Sequence, residues 1–335
     1  TTLAEFTAPP ARRYTKNVAA YGLYLKGRHA WNKRSNEGTV EAIHFFEQAI
    51  AEDARYAPAY AGLSDSYAQL LDYRSLPVAE GFARAKEYAR KALELDDTVA
   101  EAHSSLAWAT YIYDWDFARA GEQFRRAIAL DPRYPTARQW YAFFLAAMGR
   151  LDEALAEGHT ALELDPASVS IRRSVGWLYY YAHRYDQARY HITRAIEMNP
   201  TSAESYRVLA HAIAQQGDWA EAERVVREGM TQEGAGAYTA SALGYVLARS
   251  GRRAEAEAIL AELLGKAKSG YVSSVAFATL YLGLEQWSEA LTWSERACDE
   301  RRGWVVYLNV NPIVDPLRGD PRFRAVVAKV GLEER

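Results

Sequence analysis

The chain contains 335 residues, with 40 basic and 43 acidic side chains, a net charge of −3 and a pI near 6.2. Apolar residues make up 49% and charged residues 25%, so a large core is possible and disorder is not expected. The balance of charge lacks the basic excess of a nucleic-acid-binding protein, and the single cysteine, Cys298, excludes an internal disulfide framework. There is no signal peptide and no run of about 18 apolar residues, so we expect no membrane span.

From the N-terminus, the pattern predicts a linker over residues 1–16 and then two helical pairs at about 17–53 and 57–97. Each pair has apolar and small residues at helical spacing on both of its helices. The positions that carry this pattern are Leu23, Gly27, Trp31, Ala42, Phe46 and Ala49 in the first pair, and Tyr60, Leu63, Tyr67, Ala85, Ala89 and Ala92 in the second. The second pair has an insert around Asp72–Glu80.

From residue 100 onward an alanine recurs every 34 residues. These alanines are Ala120, Ala154, Ala188, Ala222, Ala256 and Ala290. The residue 13 positions before each of the last five is apolar, and the next residue is alanine or glycine, which lets a second helix approach closely. Glycine at Gly149, Gly217 and Gly251 marks a point where a helix stops and the chain reverses.

The unit is therefore helix, tight turn, helix, and three units close with a proline that cannot continue the helix. Together with the first two pairs this predicts eight helical pairs between residues 17 and 301. The six later pairs lie at about 100–132, 135–166, 169–200, 203–234, 237–268 and 271–301. The predicted fold class is all-α.

The 34-residue period and the order of small and large residues resemble the tetratricopeptide repeat (TPR). The resemblance implies a right-handed superhelical solenoid of about eight helix pairs. Four stretches add a narrower resemblance to a bacterial family in which such arrays form the C-terminal half of signalling proteins: Tyr24–Gly38, Ala59–Leu70, Tyr113–Pro132 and Asp315–Phe323. There the other half is a serine/threonine kinase, a winged-helix domain or a nucleotide cyclase. The resemblance implies that this chain is a regulatory or sensory piece of such a protein, and from its start at Thr1 we expect the parent protein to carry more.

Residues 302–335 depart from the repeat. The run from Trp304 to Leu308 has high β-propensity, which predicts an extended segment along the last pair. Asp320 and Pro321 are suited to the start of a helix, and an apolar stripe follows them. We expect this helix to cover the open end of the array, because a solenoid needs a terminal cap.

Residues for catalysis or metal binding are not grouped in the sequence. Neither HExxH nor a phosphate-binding loop is present, and no histidine pairs with a cysteine. Asp114 and Asp116 are interpreted as residues at a helix start, and Cys298 as a packed or surface thiol. We therefore expect a protein that is not an enzyme and that has no metal or cofactor.

The candidate site follows from the superhelix that the resemblance implies. One column of residues would face its inner groove, and five successive units place a ring there: Trp108, Phe143, Trp177, His211 and Tyr245, followed by Thr279. The neighbouring inner column contains Gln139, Arg173, Arg207 and Ser241. Tyr180 and Tyr181 lie one turn beyond Trp177 on the same helix as Trp177. Rigid aromatic anchors beside arginines are suited to holding a protein segment.

Three interpretations of these rings remain open. In the first, the rings fill the inside of the superhelix and contact only one another. In the second they bind a protein segment, and in the third they bind a small molecule such as a sugar. We favour a protein-interaction module whose partner is a protein or peptide, or another domain of the parent protein, without direct binding to nucleic acid. The alternative is a sensor for a small molecule, for example a carbohydrate. A cytoplasmic location is favoured, and an extracytoplasmic one requires an upstream membrane span in the parent.

Overall fold

The computed structural model describes residues 15–70 and 78–332, and throughout them the regular structure is helical. The chain divides into two compact units, an N-terminal unit (Thr1–Leu106) and a C-terminal unit (Ala107–Arg335). The α-helices, in chain order, are α1 (Val18–Asn32), α2 (Asn36–Glu52), α3 (Ala57–Leu70), α4 (Val78–Leu95), α5 (Ala100–Ala109), α6 (Phe117–Leu130), α7 (Pro135–Ala147), α8 (Leu151–Leu164), α9 (Val169–Tyr181), α10 (Tyr185–Met198), α11 (Ala203–Gln215), α12 (Trp219–Met230), α13 (Ala237–Arg249), α14 (Arg253–Ser269), α15 (Ser274–Gly283), α16 (Trp287–Asp299) and α17 (Pro321–Val330).

The first sixteen of these helices form eight helix–turn–helix pairs, so the all-α class and the repeat architecture are confirmed over the described residues. The predicted linker lies largely outside the described part of the chain, and so do residues 72–77 of the predicted insert. Across 15–70 and 78–332, none of the helices is both long and apolar enough to cross a membrane.

The turn inside each of five successive pairs contains one residue in the left-handed conformation. Three of these residues are the predicted glycines, Gly149, Gly217 and Gly251, with φ of 68°, 82° and 87°. The other two turns contain His183 and Glu285, each with φ of 57°. All five positions are 34 residues apart, so the repeat imposes this conformation even where the residue is not glycine.

The N-terminal unit packs around Phe46, which is fully buried between two glycines. A Cβ atom on Gly27 would lie 2.6 Å from the Phe46 ring, and one on Gly62 would lie 2.5 Å from it. Arg28 on α1 also bonds Asp65 on α3 at 2.8 Å, and the Ser105 hydroxyl on α5 donates to the same carboxylate at 2.5 Å. The carboxylate of the fully buried Asp65 thus connects the first helices of three successive pairs.

The third pair departs from the regular repeat because it contains one extra residue. Eleven positions separate Phe143 from Ala154, whereas twelve separate Trp108 from Ala120. The structure accommodates the extra residue in a π-helix over Thr110–Asp114, followed by Trp115 with φ of 62°. The π-helix buries Tyr111 completely.

The C-terminal tail (Arg302–Leu332) differs from the prediction in its first part. Residues Gly303–Tyr307 form a 3-10 helix, not an extended segment, and a second 3-10 helix covers Pro312–Leu317. Val305, Val306 and Leu308 are fully buried, which requires neighbours on every side of the segment. An extended strand without a paired strand would leave its buried backbone groups unbonded, whereas the 3-10 turn bonds Val305 N–H to Arg302 O and Leu308 N–H to Val305 O.

The last helix, α17, is the predicted cap and is confirmed. It packs against α16 through four buried apolar side chains, Phe323, Val326, Val327 and Val330. At its surface, Arg322 pairs with Glu295 at 3.0 Å and Lys329 pairs with Asp299 at 2.5 Å. Asp320 caps the helix by accepting a hydrogen bond from Arg322 N–H.

Candidate functional site

The predicted aromatic column lies on α7, α9, α11 and α13 of the C-terminal unit, together with Trp108 near the end of α5. Within 6.5 Å between centroids, Trp108 contacts Phe143, and Tyr180 contacts His211, which in turn contacts Tyr245. Trp177 stacks on Tyr181 at 5.4 Å. The structure therefore brings the predicted rings together, although Phe143 and Trp177 are not in direct ring contact among the described pairs.

Tyr307 of the C-terminal tail connects the rings around Phe143 with those around Tyr181. Its ring stacks on Tyr181 at 5.2 Å and meets Phe143 edge-on at 6.0 Å. Its phenol oxygen lies 2.6 Å from that of Tyr111, and further along the tail Asn311 accepts a hydrogen bond from Tyr180. The rings therefore do not contact only one another, because a segment of the same chain lies among them.

The start of the tail is also tied to the helices. The Arg301 guanidinium stacks over the Trp115 ring at 3.6 Å and donates to Tyr113 O at 3.1 Å. Arg302 donates to the Tyr238 phenol at 3.2 Å. These contacts hold the start of the Gly303–Tyr307 turn against residues that precede it by 60 positions or more.

The buried polar groups of the column are held neutral. Burial raises the pKa of Tyr111, Tyr180 and Tyr181 well above the ordinary value of 10, and their neighbouring phenols add to this. Burial lowers the pKa of His211 to about 3, with a smaller contribution from Arg207. At neutral pH these side chains can stack and hydrogen-bond, but they have no charge with which to bind an ion.

The neighbouring inner column carries two charged side chains, Arg173 and Arg207. Arg173 pairs with Glu204 at 2.9 Å, and Arg207 approaches the same carboxylate at 3.9 Å. The Arg207 guanidinium also lies 5.5 Å from the Trp177 ring centroid. Both arginines and Trp177 are partly exposed. Two guanidiniums thus share one carboxylate beside an accessible indole, and we call these four residues, Arg173, Trp177, Glu204 and Arg207, the arginine patch.

The other predicted inner positions are polar and buried. The Gln139 amide donates to Ser174 Oγ at 2.8 Å, and Ser241 donates to Tyr238 O. Thr279 is buried on α15. Sequence reasoning missed Tyr111, Trp140 and Tyr307, which belong to the same aromatic cluster but lie outside the 34-residue column. The one available signal was the unexplained apolar run around Tyr307.

The comparisons with known proteins agree with the repeat architecture. The sequence profile of the tetratricopeptide repeat matches residues 114–173 and 179–240. The transcriptional regulator HilA of Salmonella typhimurium is 25% identical over 133 residues, which are 40% of this chain and 24% of the regulator. The chain thus matches about a quarter of the length of that relative.

Solved structures show the same fold at low identity. A monomeric mutant of IFIT1 bound to Gppp-AAAA is 16% identical with a TM-score of 0.64, over 93% of this chain and 71% of that one. A tetratricopeptide repeat protein of Parabacteroides merdae is 15% identical with a TM-score of 0.52, over 79% of this chain and 99% of that one. At this level of identity the likeness concerns the fold alone.

Proposed function

We propose that this chain, whose repeats match the tetratricopeptide-repeat profile over residues 114–173 and 179–240, is a non-enzymatic interaction module whose arginine patch holds an acidic segment of a partner protein. The repeat fold is one that supports protein–protein interaction. The match to a transcriptional regulator supports the further proposal that this module is the regulatory or sensory region of a bacterial signalling protein.

The observation that carries the proposal is the unequal charge of the arginine patch. In the part of the chain that the structure describes, the ion pairs of Arg173 and Arg207 share one carboxylate, that of Glu204, which is itself about half exposed. An incoming carboxylate can therefore take hydrogen bonds from guanidinium groups that are already held in place. The Trp177 indole beside them offers a rigid apolar surface, which is the combination that dominates binding energy in interfaces.

The C-terminal tail supports the same proposal. Residues 302–317 are a short segment with two 3-10 helices, and the inner helices hold it by ring stacking and hydrogen bonds to its side chains. The inner face of this unit is therefore suited to contacts with the aromatic and polar side chains of a peptide segment. The residues of the arginine patch are accessible on the helices α9 and α11.

The test is selection from a random peptide library displayed on phage, with the whole chain as the immobilised target. We expect enrichment of peptides that combine an acidic residue with an aromatic or aliphatic one. Arg173→Ala and Arg207→Ala should weaken the selected peptides at least about tenfold, which corresponds to 1.4 kcal/mol. Arg189→Ala is the matched control, since Arg189 is an arginine of α10 that pairs with Glu221 away from the patch.

Two results would contradict the proposal. One is enrichment of peptides without acidic residues. The other is binding that Arg173→Ala and Arg207→Ala leave unchanged while both variants melt at the temperature of the parent.

A further inference from the structure

A cleft of 260 Å³ lies in the C-terminal unit, where the tail's second 3-10 helix meets the inner helices, and Tyr245 is the member of the aromatic column that lines it. One wall is the tail, with Pro312, Ile313 and Asp315. Two indoles also line the cleft, those of Trp219 at the start of α12 and Trp287 at the start of α16. No residue of the arginine patch lines this cleft, so it is a separate site.

The charged groups of the cleft already have partners of opposite charge. Arg249 forms an ion pair with Glu285 and lies 5.9 Å from the Trp219 ring centroid. Asp315 accepts from Arg318 at 2.8 Å and 2.7 Å. Since each charge is compensated, the cleft has little attraction for a ligand with a net charge.

Hydrogen-bonding capacity nevertheless remains on these groups. A carboxylate has about four acceptor sites and a guanidinium has five N–H donors, so neither is saturated by one ion pair. Tyr245 and Gln215 add a phenol and an amide at the same cleft. The cleft thus combines flat aromatic walls with several directional donors and acceptors and with compensated charge.

We propose that this cleft binds a neutral, polyhydroxylated small molecule, specifically a mono- or disaccharide. The C–H face of a sugar ring is apolar and can lie on an indole, while its hydroxyls pair with carboxylate, guanidinium and amide groups. The volume also favours a small ligand, because pockets for drug-sized molecules start at roughly 300 Å³. The tail supplies one wall, so bound sugar would hold the tail against the helix turns.

The experiment is an NMR titration of the whole chain, labelled with ¹⁵N, that follows the indole N–H signals. Trp219→Phe and Trp287→Phe assign the two signals of the cleft. The probes are neutral sugars, namely glucose, galactose, mannose, maltose and trehalose, with glucose 6-phosphate, glutamate and lysine as probes that carry a net charge. We expect saturable shifts of the Trp219 and Trp287 signals with a neutral sugar, and none for Trp31 in the N-terminal unit.

Variants identify the groups involved. Asp315→Asn should weaken the sugar that binds best at least about tenfold, whereas Asp152→Asn, which changes a carboxylate exposed on α8, should leave its affinity unchanged. The proposal is wrong if none of the neutral sugars gives a saturable shift of both indoles, if a charged probe binds more tightly, or if Asp315→Asn binds as the parent does. These results do not bear on peptide binding at the arginine patch, which uses different residues.

Discussion

Tyr307→Ala is the most direct test of the position of the C-terminal tail. The ring of Tyr307 is 8% exposed, stacks on Tyr181 and meets Phe143 edge-on. Replacing a large buried aromatic side chain by alanine costs about 3–5 kcal/mol through lost contacts and the cavity that remains. We expect the free energy of unfolding of the C-terminal unit to fall by this amount, measured by urea denaturation with tryptophan fluorescence as the probe.

The phenol of Tyr307 can be tested separately from its ring. Tyr307→Phe leaves the Tyr111 hydroxyl buried without its 2.6 Å partner, which should cost about 1–3 kcal/mol. The double variant Tyr111→Phe, Tyr307→Phe removes both polar groups and should recover most of this loss. Tyr190→Ala is the control, because Tyr190 is 61% exposed and its removal should cost no more than about 0.5 kcal/mol. If Tyr307→Ala is no more costly than this control, the tail does not lie among the rings.

Three further outcomes are expected. Ala188 is fully buried where α9 and α10 meet, so Ala188→Leu should overpack the pair and lower stability by about 1–3 kcal/mol, and an unchanged melting temperature would contradict the repeat register. The pKa of His211 is about 3 in the folded chain and 6.5 in the unfolded chain, so the unfolded state takes up the proton first and stability should fall as the pH drops below 6.5. By pH 5 the free energy of unfolding should have fallen by about 2 kcal/mol relative to that of His211→Phe. Parallel urea denaturations of the two proteins above pH 6.5 and at pH 5 measure this difference. Arg28→Ala leaves the Asp65 carboxylate buried without its guanidinium, which should cost about 3–5 kcal/mol of stability. Circular dichroism should show this as an earlier unfolding transition. A transition equal to that of the parent would mean that this pair does not stabilise the N-terminal unit.

The helix pairs could be predicted from the sequence because the same pattern of small and apolar residues recurs in successive repeats. Ala154, Ala188 and Ala222 are fully buried for one shared reason, the close approach of two helices, and each copy supports the others. The left-handed turns at His183 and Glu285 illustrate the limit of this reasoning. Neither residue is a glycine, and their place in the 34-residue register is what reveals the conformation.

The tail could not be predicted in the same way, because it occurs once. Trp304–Leu308 has the composition of a strand, but its partners are side chains of the inner helices, and contacts of this kind override local propensity. The rings of the candidate site were predicted as a column, yet Tyr111 belongs to the cluster only because the π-helix turns it inward. The one-residue irregularity in spacing was visible in the sequence, but the side to which it would turn Tyr111 was not.

The hydrogen bond between Tyr111 and Tyr307 joins residues 196 positions apart, which has a consequence for the order in which the chain folds. An array of repeats makes contacts mainly between neighbours, so it can assemble progressively while it is being synthesised. The inner surface of the C-terminal unit, in contrast, acquires its last wall only when residues 302–317 have left the ribosome. Until then the aromatic rings face water, and that interval is when a nascent chain of this protein is most exposed to aggregation and to chaperones.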